Sequence, residues 1–173
     1  LDLSSMIMLV ATVATHEFFR SDTGRGGDGD GVDRPHVNLA SSALDLQTLY
    51  GTTDAEARQI RTFEGGLLAR DAFVCRRLAP LPGVRALITL FSREHNRIAR
   101  QLAARYPTEF ATDEALYDQA RLCNIAVFIG VLNHGYVGGI MGDFGAIDTR
   151  VQAAPHPPRT SRRLTPMQCV PPT

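Results

Sequence analysis

His16 and Glu17 stand side by side in ATVATHEFFRSD, residues 11–22, where a run of small and apolar residues ends. An imidazole titrates near neutrality, so it can take a proton from a reacting group and return it. A carboxylate supplies hard oxygen, which suits calcium. The sequence leaves two readings of the histidine open: proton-transfer chemistry, or a helix-end core residue satisfied by a backbone carbonyl. His95 follows Phe91 by one helical turn on an apolar face and reads as buried structure. His134 lies late in another helical run, and His156 is flanked by prolines. The three cysteines, Cys75, Cys123 and Cys169, form no CxxC pair. That argues against a structural zinc site and a disulfide framework, and it points to a reducing, intracellular, cytoplasmic setting.

Several elements must position these groups. Residues 4–20 read as a mostly buried helix ending near Arg20. SDTGRGGDGDGVDRP follows as a solvated loop. Val32 and Asp33 stand where an EF-hand loop needs an acidic ligand and its glycine, so calcium is not expected there. SSALDLQTLYG is compact and closes at Gly51. A helix starts in TTDAEARQIRTFEGG, where Thr53 and Glu56 have capping-box spacing, and Gly65 and Gly66 end it or turn the chain. LLARDAFVCRRLAPLPG is irregular. From Gly83 to Arg105, Val84, Leu87, Ile88, Phe91, His95, Ile98 and Leu102 share one helical stripe. A further helix opens at Thr112, with Asp113 and Glu114 favoured by the helix dipole, and glycines 135, 138, 139 and 142 loosen it.

With 173 residues, 44% of them hydrophobic and 21% charged, the chain can bury a core as one domain. Its net charge of zero argues against nucleic acid as a partner. The apolar run from Met6 to Ala14 is too short to cross a bilayer, and no transmembrane segment is expected. Residues 143–173 hold six of the ten prolines and few large apolar side chains, which predicts a disordered tail. The fold class is mainly α, with irregular loops.

THEFFRSD, SSALDLQTLYG, LPGVRALITLFSREHNRIARQL and DEALYDQARL, in that order, resemble the animal-type haem peroxidase superfamily. The likeness is greatest to its fungal fatty-acid dioxygenases, the linoleate diol synthases or psi-producing oxygenases, and to prostaglandin endoperoxide synthase. It covers about residues 4–142, read as the distal half of a haem peroxidase domain.

The resemblance implies haem b, a polyunsaturated fatty acid such as linoleate, and oxygen or peroxide; a homo-oligomer is compatible with it. His16 takes the place of the distal histidine, the proton shuttle beside the haem. Thr12 stands one turn earlier, where many relatives carry glutamine. A calcium site is also implied, from Glu17, Ser41, the Ala43 carbonyl, Asp45 and Gln47. Glu17 and Gln47 replace a usual aspartate and serine. The competing reading has Asp45 as a helix cap and Glu17 on the surface. Arg77 falls where one branch has a distal arginine, although CRRL reads more simply as solvated surface. Pro80 stands where mammalian peroxidases have the glutamate that esterifies haem.

The family's proximal histidine and radical tyrosine belong to a Tyr-x-x-His motif, and the 173 residues contain none. No proximal haem ligand is assigned. Two expectations follow: a haem-dependent fatty-acid dioxygenase and peroxidase, or a truncated non-catalytic helical module of the same fold.

Overall fold

The computed structural model describes residues 4–23, 31–41 and 43–141. The tail expected to be disordered, with His156 and Cys169, lies outside them, as does Ser42. The described elements are α1 (Met6–Phe18), β1 (Ser21–Asp22), β2 (Arg34–Asn38), α2 (Gln47–Tyr50), α3 (Asp54–Ile60), α4 (Pro82–Arg105), α5 (Asp113–Gly130) and α6 (Gly138–Met141). A 3-10 turn, Arg76–Leu78, precedes α4, and a π-helical stretch, Val131–Val137, joins α5 to α6.

α4 is the axis of the fold. Pro82 opens it, at a position where a missing N–H costs nothing. Its buried side chains, among them Val84, Ile88, His95, Ile98 and Leu102, form the stripe expected from three- and four-residue spacing. Both α1 and α5 pack against it. Gly83 permits the first contact: a Cβ there would sit 2.6 Å from Cδ1 of Leu9. The main core joins Val13, Leu49, Tyr50, Leu78, Ile88 and Phe128, and a smaller cluster gathers Ile98, Ala99, Leu102, Leu116 and Ala120.

α5 starts where expected. Thr112 caps it by accepting the Ala115 N–H at 3.2 Å, and Asp113 and Glu114 sit in the first turn. The glycines loosen it without ending it, so the ladder widens into the π-helical stretch. The run Asp113–Ile140 is long and apolar enough to cross a membrane by length and composition. One face of it, with Leu116, Tyr117, Ala120, Asn124 and Phe128, is buried. Leu122, Val127, Val131 and Ile140 remain exposed.

Local structure departs from expectation in three places. β1 and β2 form an antiparallel pair with an irregular register, Ser21 opposite Asn38 and Asp22 opposite Arg34, where a plain loop was expected. α1 is less buried than expected, with Val13, Ala14 and Glu17 its buried residues, whereas α3 stops at Ile60 and Gly65 and Gly66 turn the chain so that Arg61 bridges Leu68, one of their two expected roles. The capping box is half made. Thr53 accepts the Glu56 N–H, but the Glu56 carboxylate accepts from the Thr52 N–H and hydroxyl instead of reaching the Thr53 N–H.

Arg61 closes this turn onto α5. Its nearly buried guanidinium bonds Asp113 and Glu114 at 2.7 Å and lies 4.0 Å from the centre of the Tyr117 ring.

Candidate functional site

α1 presents His16 in its last turn, half-buried. The ring Nδ1 lies 2.8 Å from the Thr12 carbonyl. A carbonyl only accepts, so Nδ1 carries a proton, and in the neutral ring Nε2 then keeps its lone pair. This joins the two readings of the histidine: the backbone contact that satisfies the ring also fixes the tautomer a proton acceptor needs. Thr12 does not contribute its hydroxyl to the site, because it donates to the Met8 carbonyl at 2.8 Å. Phe18 and Phe19 follow His16 and are exposed.

Glu17 is fully buried, so it is not a surface residue. Its Oε2 accepts the Gln47 N–H at 2.8 Å and its Oε1 the Thr48 N–H at 2.9 Å. Those amides are exposed by Leu46, which adopts φ 58° and ψ 44° just before α2. For a non-glycine residue this left-handed backbone costs about 1–2 kcal/mol. Leu46 is wholly buried in the core, where its packing opposes that cost.

The Gln47 side chain lies in the same cradle. Its Nε2 donates to the Glu17 carbonyl, and its Oε1 accepts the Ser41 N–H at 3.2 Å. The Ser41 hydroxyl oxygen accepts the Ala43 N–H at 3.2 Å. Asp45 Oδ1 is buried without a hydrogen-bond partner. Burial raises the Glu17 pKa above the usual carboxylate value; hydrogen bonds from Thr48 and Gln47 oppose this, and the Asp45 charge adds to it. Hydrogen bonds therefore link Glu17, Gln47, Ser41 and Ala43, with Asp45 close enough to act on Glu17 through space.

The other expected residues lie apart from this cradle. Arg77 is exposed on the 3-10 turn beside buried Leu78. His95 is fully buried, its Nδ1 against the Tyr50 hydroxyl and its Nε2 against the Gly66 carbonyl, both at 2.8 Å. Burial pushes its pKa down to about 4. His36 on β2 and His134 in the π-helical stretch are exposed.

Sequence reasoning missed Asn38 and Thr48. The Asn38 side chain accepts the Arg20 N–H at 2.8 Å and donates to the Phe18 carbonyl at 2.7 Å, tying the end of α1 to β2. Thr48 acts through its backbone amide, which no side-chain pattern announces.

Known proteins align with this arrangement. Residues 7–81 and 76–155 match the family described as animal haem peroxidase. A bifunctional dioxygenase–epoxy alcohol synthase of Fusarium oxysporum is 32% identical over 167 residues, covering 86% of this chain and 12% of that protein. Linoleate diol synthase of Gaeumannomyces graminis is 32% identical over 154 residues, covering 80% of this chain and 12% of the enzyme. The chain thus spans about an eighth of the length of these relatives. Among solved structures, the fatty acid alpha-dioxygenase of Oryza sativa superposes with a TM-score of 0.61 at 20% identity, over 78% of this chain and 28% of that one. This last likeness is one of fold. By the family match the chain belongs to the animal haem peroxidases, and haem is the cofactor that membership implies.

Proposed function

We propose that this chain is the distal part of a haem-dependent fatty-acid dioxygenase and peroxidase, with His16 as its proton shuttle. The observation that carries the reading is the His16–Thr12 contact, which in the neutral ring puts the proton on Nδ1 and leaves the Nε2 lone pair free at the end of α1. His16 fits the distal side of a haem: it is partly accessible, its tautomer is set, and apolar Phe18 and Phe19 lie beside it. Haem b, bound there, would supply one-electron chemistry on peroxide or oxygen. Nε2 would take the proton of a bound hydroperoxide and return it to the departing oxygen. The substrate class, a polyunsaturated fatty acid such as linoleate, comes from the fungal relatives. We place this chemistry in a reducing, cytoplasmic setting, which free Cys75 supports. The exposed apolar face of α5 supports self-association as a homo-oligomer. Calcium has no part in this chemistry, because hydrogen bonds around Gln47 engage the oxygens it would need.

The proximal side favours a second reading, a helical module without a competent haem site. His95 has both ring nitrogens engaged and no exposed surface, so it cannot reach an iron. Among the described residues only His36 and His134 remain, both exposed and on other elements.

One experiment separates the readings. The chain is joined to the downstream segment of an intact fungal relative, reconstituted with haem and assayed with peroxide and linoleate. The first reading expects a histidine-ligated Soret spectrum and peroxidase activity that His16→Ala largely removes. No histidine-ligated Soret band and no peroxidase activity would favour the second, and activity indifferent to His16 would overturn its role as the shuttle.

A further inference from the structure

Gln47 donates twice to Glu17, thirty residues away: its backbone N–H to Oε2 and its side-chain Nε2 to the carbonyl. The amide orientation is fixed from both ends. The Ser41 N–H can only donate and the Glu17 carbonyl can only accept, so a flipped amide would set N–H against N–H and oxygen against oxygen. We infer that Gln47 is a positioning residue for the helix that carries His16, and that its amide does the work of a cation at a cradle that needs no calcium.

The donor set decides this. Calcium takes six to eight oxygens at about 2.3–2.6 Å. Here both Glu17 carboxylate oxygens point at N–H groups of Gln47 and Thr48. The Glu17 carbonyl faces an NH2 group, and the Gln47 oxygen is turned toward the Ser41 N–H. The Ser41 hydroxyl oxygen is engaged by the Ala43 N–H. A cation at the Glu17 carbonyl would meet the amide hydrogens of Gln47. Asp45 Oδ1 is the one side-chain oxygen of the expected ligand set that is buried and unpartnered, and with the Ala43 carbonyl it falls well short of the oxygens calcium takes. The residues present therefore do not fit the metal. The consequence for His16 is mechanical: its chain neighbour is held at the carbonyl by Gln47 and at the carboxylate by two α2 amides, so α1 ends in a fixed place.

The test is thermal unfolding of the full chain followed by circular dichroism, with millimolar calcium chloride or with EGTA. The wild-type midpoint should be the same in both. Gln47→Met keeps the length and loses both side-chain bonds, so its midpoint should fall equally in both. Gln47→Glu places a third carboxylate beside Glu17 and Asp45; its midpoint should fall in EGTA and recover with calcium. A wild-type midpoint that drops on chelation and recovers saturably would overturn the inference, even if neither variant folds. So would a Gln47→Met midpoint equal to wild type, or a Gln47→Glu protein indifferent to calcium. The inference holds whether or not the chain binds haem.

Discussion

Tyr50 donates its hydroxyl hydrogen to Nδ1 of His95 across 2.8 Å, and the far side of the ring forces that direction. Nε2 lies 2.8 Å from the Gly66 carbonyl, which only accepts, so Nε2 holds the single proton of the neutral imidazole. The Tyr50 oxygen in turn accepts from Asn124 Nδ2 at 2.9 Å, and Asn124 also donates to the Phe91 carbonyl. Tyr50, His95 and Asn124 are all fully buried, so three stretches distant in sequence are held by one directed chain of hydrogen bonds.

The chain should lose stability in mild acid through His95. Its folded pKa, about 4, lies below the ordinary 6.5. Between these values the unfolded chain binds the extra proton, so stability is full above about pH 6.5 and falls as pH drops toward 4. The loss approaches about 3 kcal/mol at most, by the usual 1.36 kcal/mol per pH unit. Glu17 acts in the opposite sense: its raised folded pKa favours the fold below the ordinary carboxylate value, and that gain disappears as pH rises through the folded value. Urea denaturation between pH 4 and 7 should show the histidine-linked slope, and His95→Gln should flatten it. An unchanged slope in the variant would assign the acid sensitivity to another group.

Tyr50→Phe should destabilise the chain by about 1–3 kcal/mol, although it removes one atom and leaves the ring packing in place. The cost arises because His95 Nδ1 is left buried without a donor, while Asn124 keeps its bond to Phe91. Urea titration at pH 7 reads it directly. A neutral result would mean that water replaces the hydroxyl.

Helices were legible where burial is periodic. The α4 stripe could be read residue by residue, and the burial of His95 followed from its spacing after Phe91. Leu102, at 8% exposure, belongs to that stripe, and Leu102→Ala should cost about 2–5 kcal/mol in the same titration. The β1–β2 pair was not legible, because two residues facing RPHVN show no alternation and the pairing is irregular. The surroundings of Glu17 were hidden for another reason. Its partners are backbone amides, displayed by a leucine in a conformation that sequence favours for glycine. A side-chain reading sees oxygen ligands there and cannot see the N–H groups that occupy them. His16 lay between these cases: its place in the motif was legible, but its tautomer needed the Thr12 carbonyl.

Gly66→Ala should be far more damaging than Gly65→Ala. Both residues have positive φ, 62° at Gly65 and 66° at Gly66, so each variant carries left-handed strain of about 1–2 kcal/mol. At Gly65 the added methyl meets nothing nearer than Leu67 Cγ at 3.9 Å. At Gly66 it would lie 2.6 Å from the Tyr117 backbone nitrogen and from Leu116 Cβ. Either α5 or the turn would have to move, and the turn carries the Gly66 carbonyl that holds His95, adding about 1–3 kcal/mol of overpacking. Thermal midpoints of the two variants give the comparison; equal shifts would mean that the turn does not press against α5.

The His16 tautomer can be measured in the chain as it stands, without haem. Free neutral histidine prefers the proton on Nε2. Here the Thr12 carbonyl at 2.8 Å should draw it to Nδ1. With the ring neutral, nitrogen-15 correlation spectra should show a protonated Nδ1 and a pyridine-like Nε2 for His16. His95 should show the reverse, because its Nε2 is the nitrogen that donates, to Gly66. The two histidines thus serve as opposite controls in one spectrum. Thr12→Pro would not be a clean test, since it breaks the helix, whereas Thr12→Val keeps the carbonyl and removes only the hydroxyl, which bonds Met8. Thr12→Val should leave the His16 tautomer unchanged. If His16 instead carries its proton on Nε2, that atom has no lone pair to receive a hydroperoxide proton, and the proposed shuttle fails at its first step.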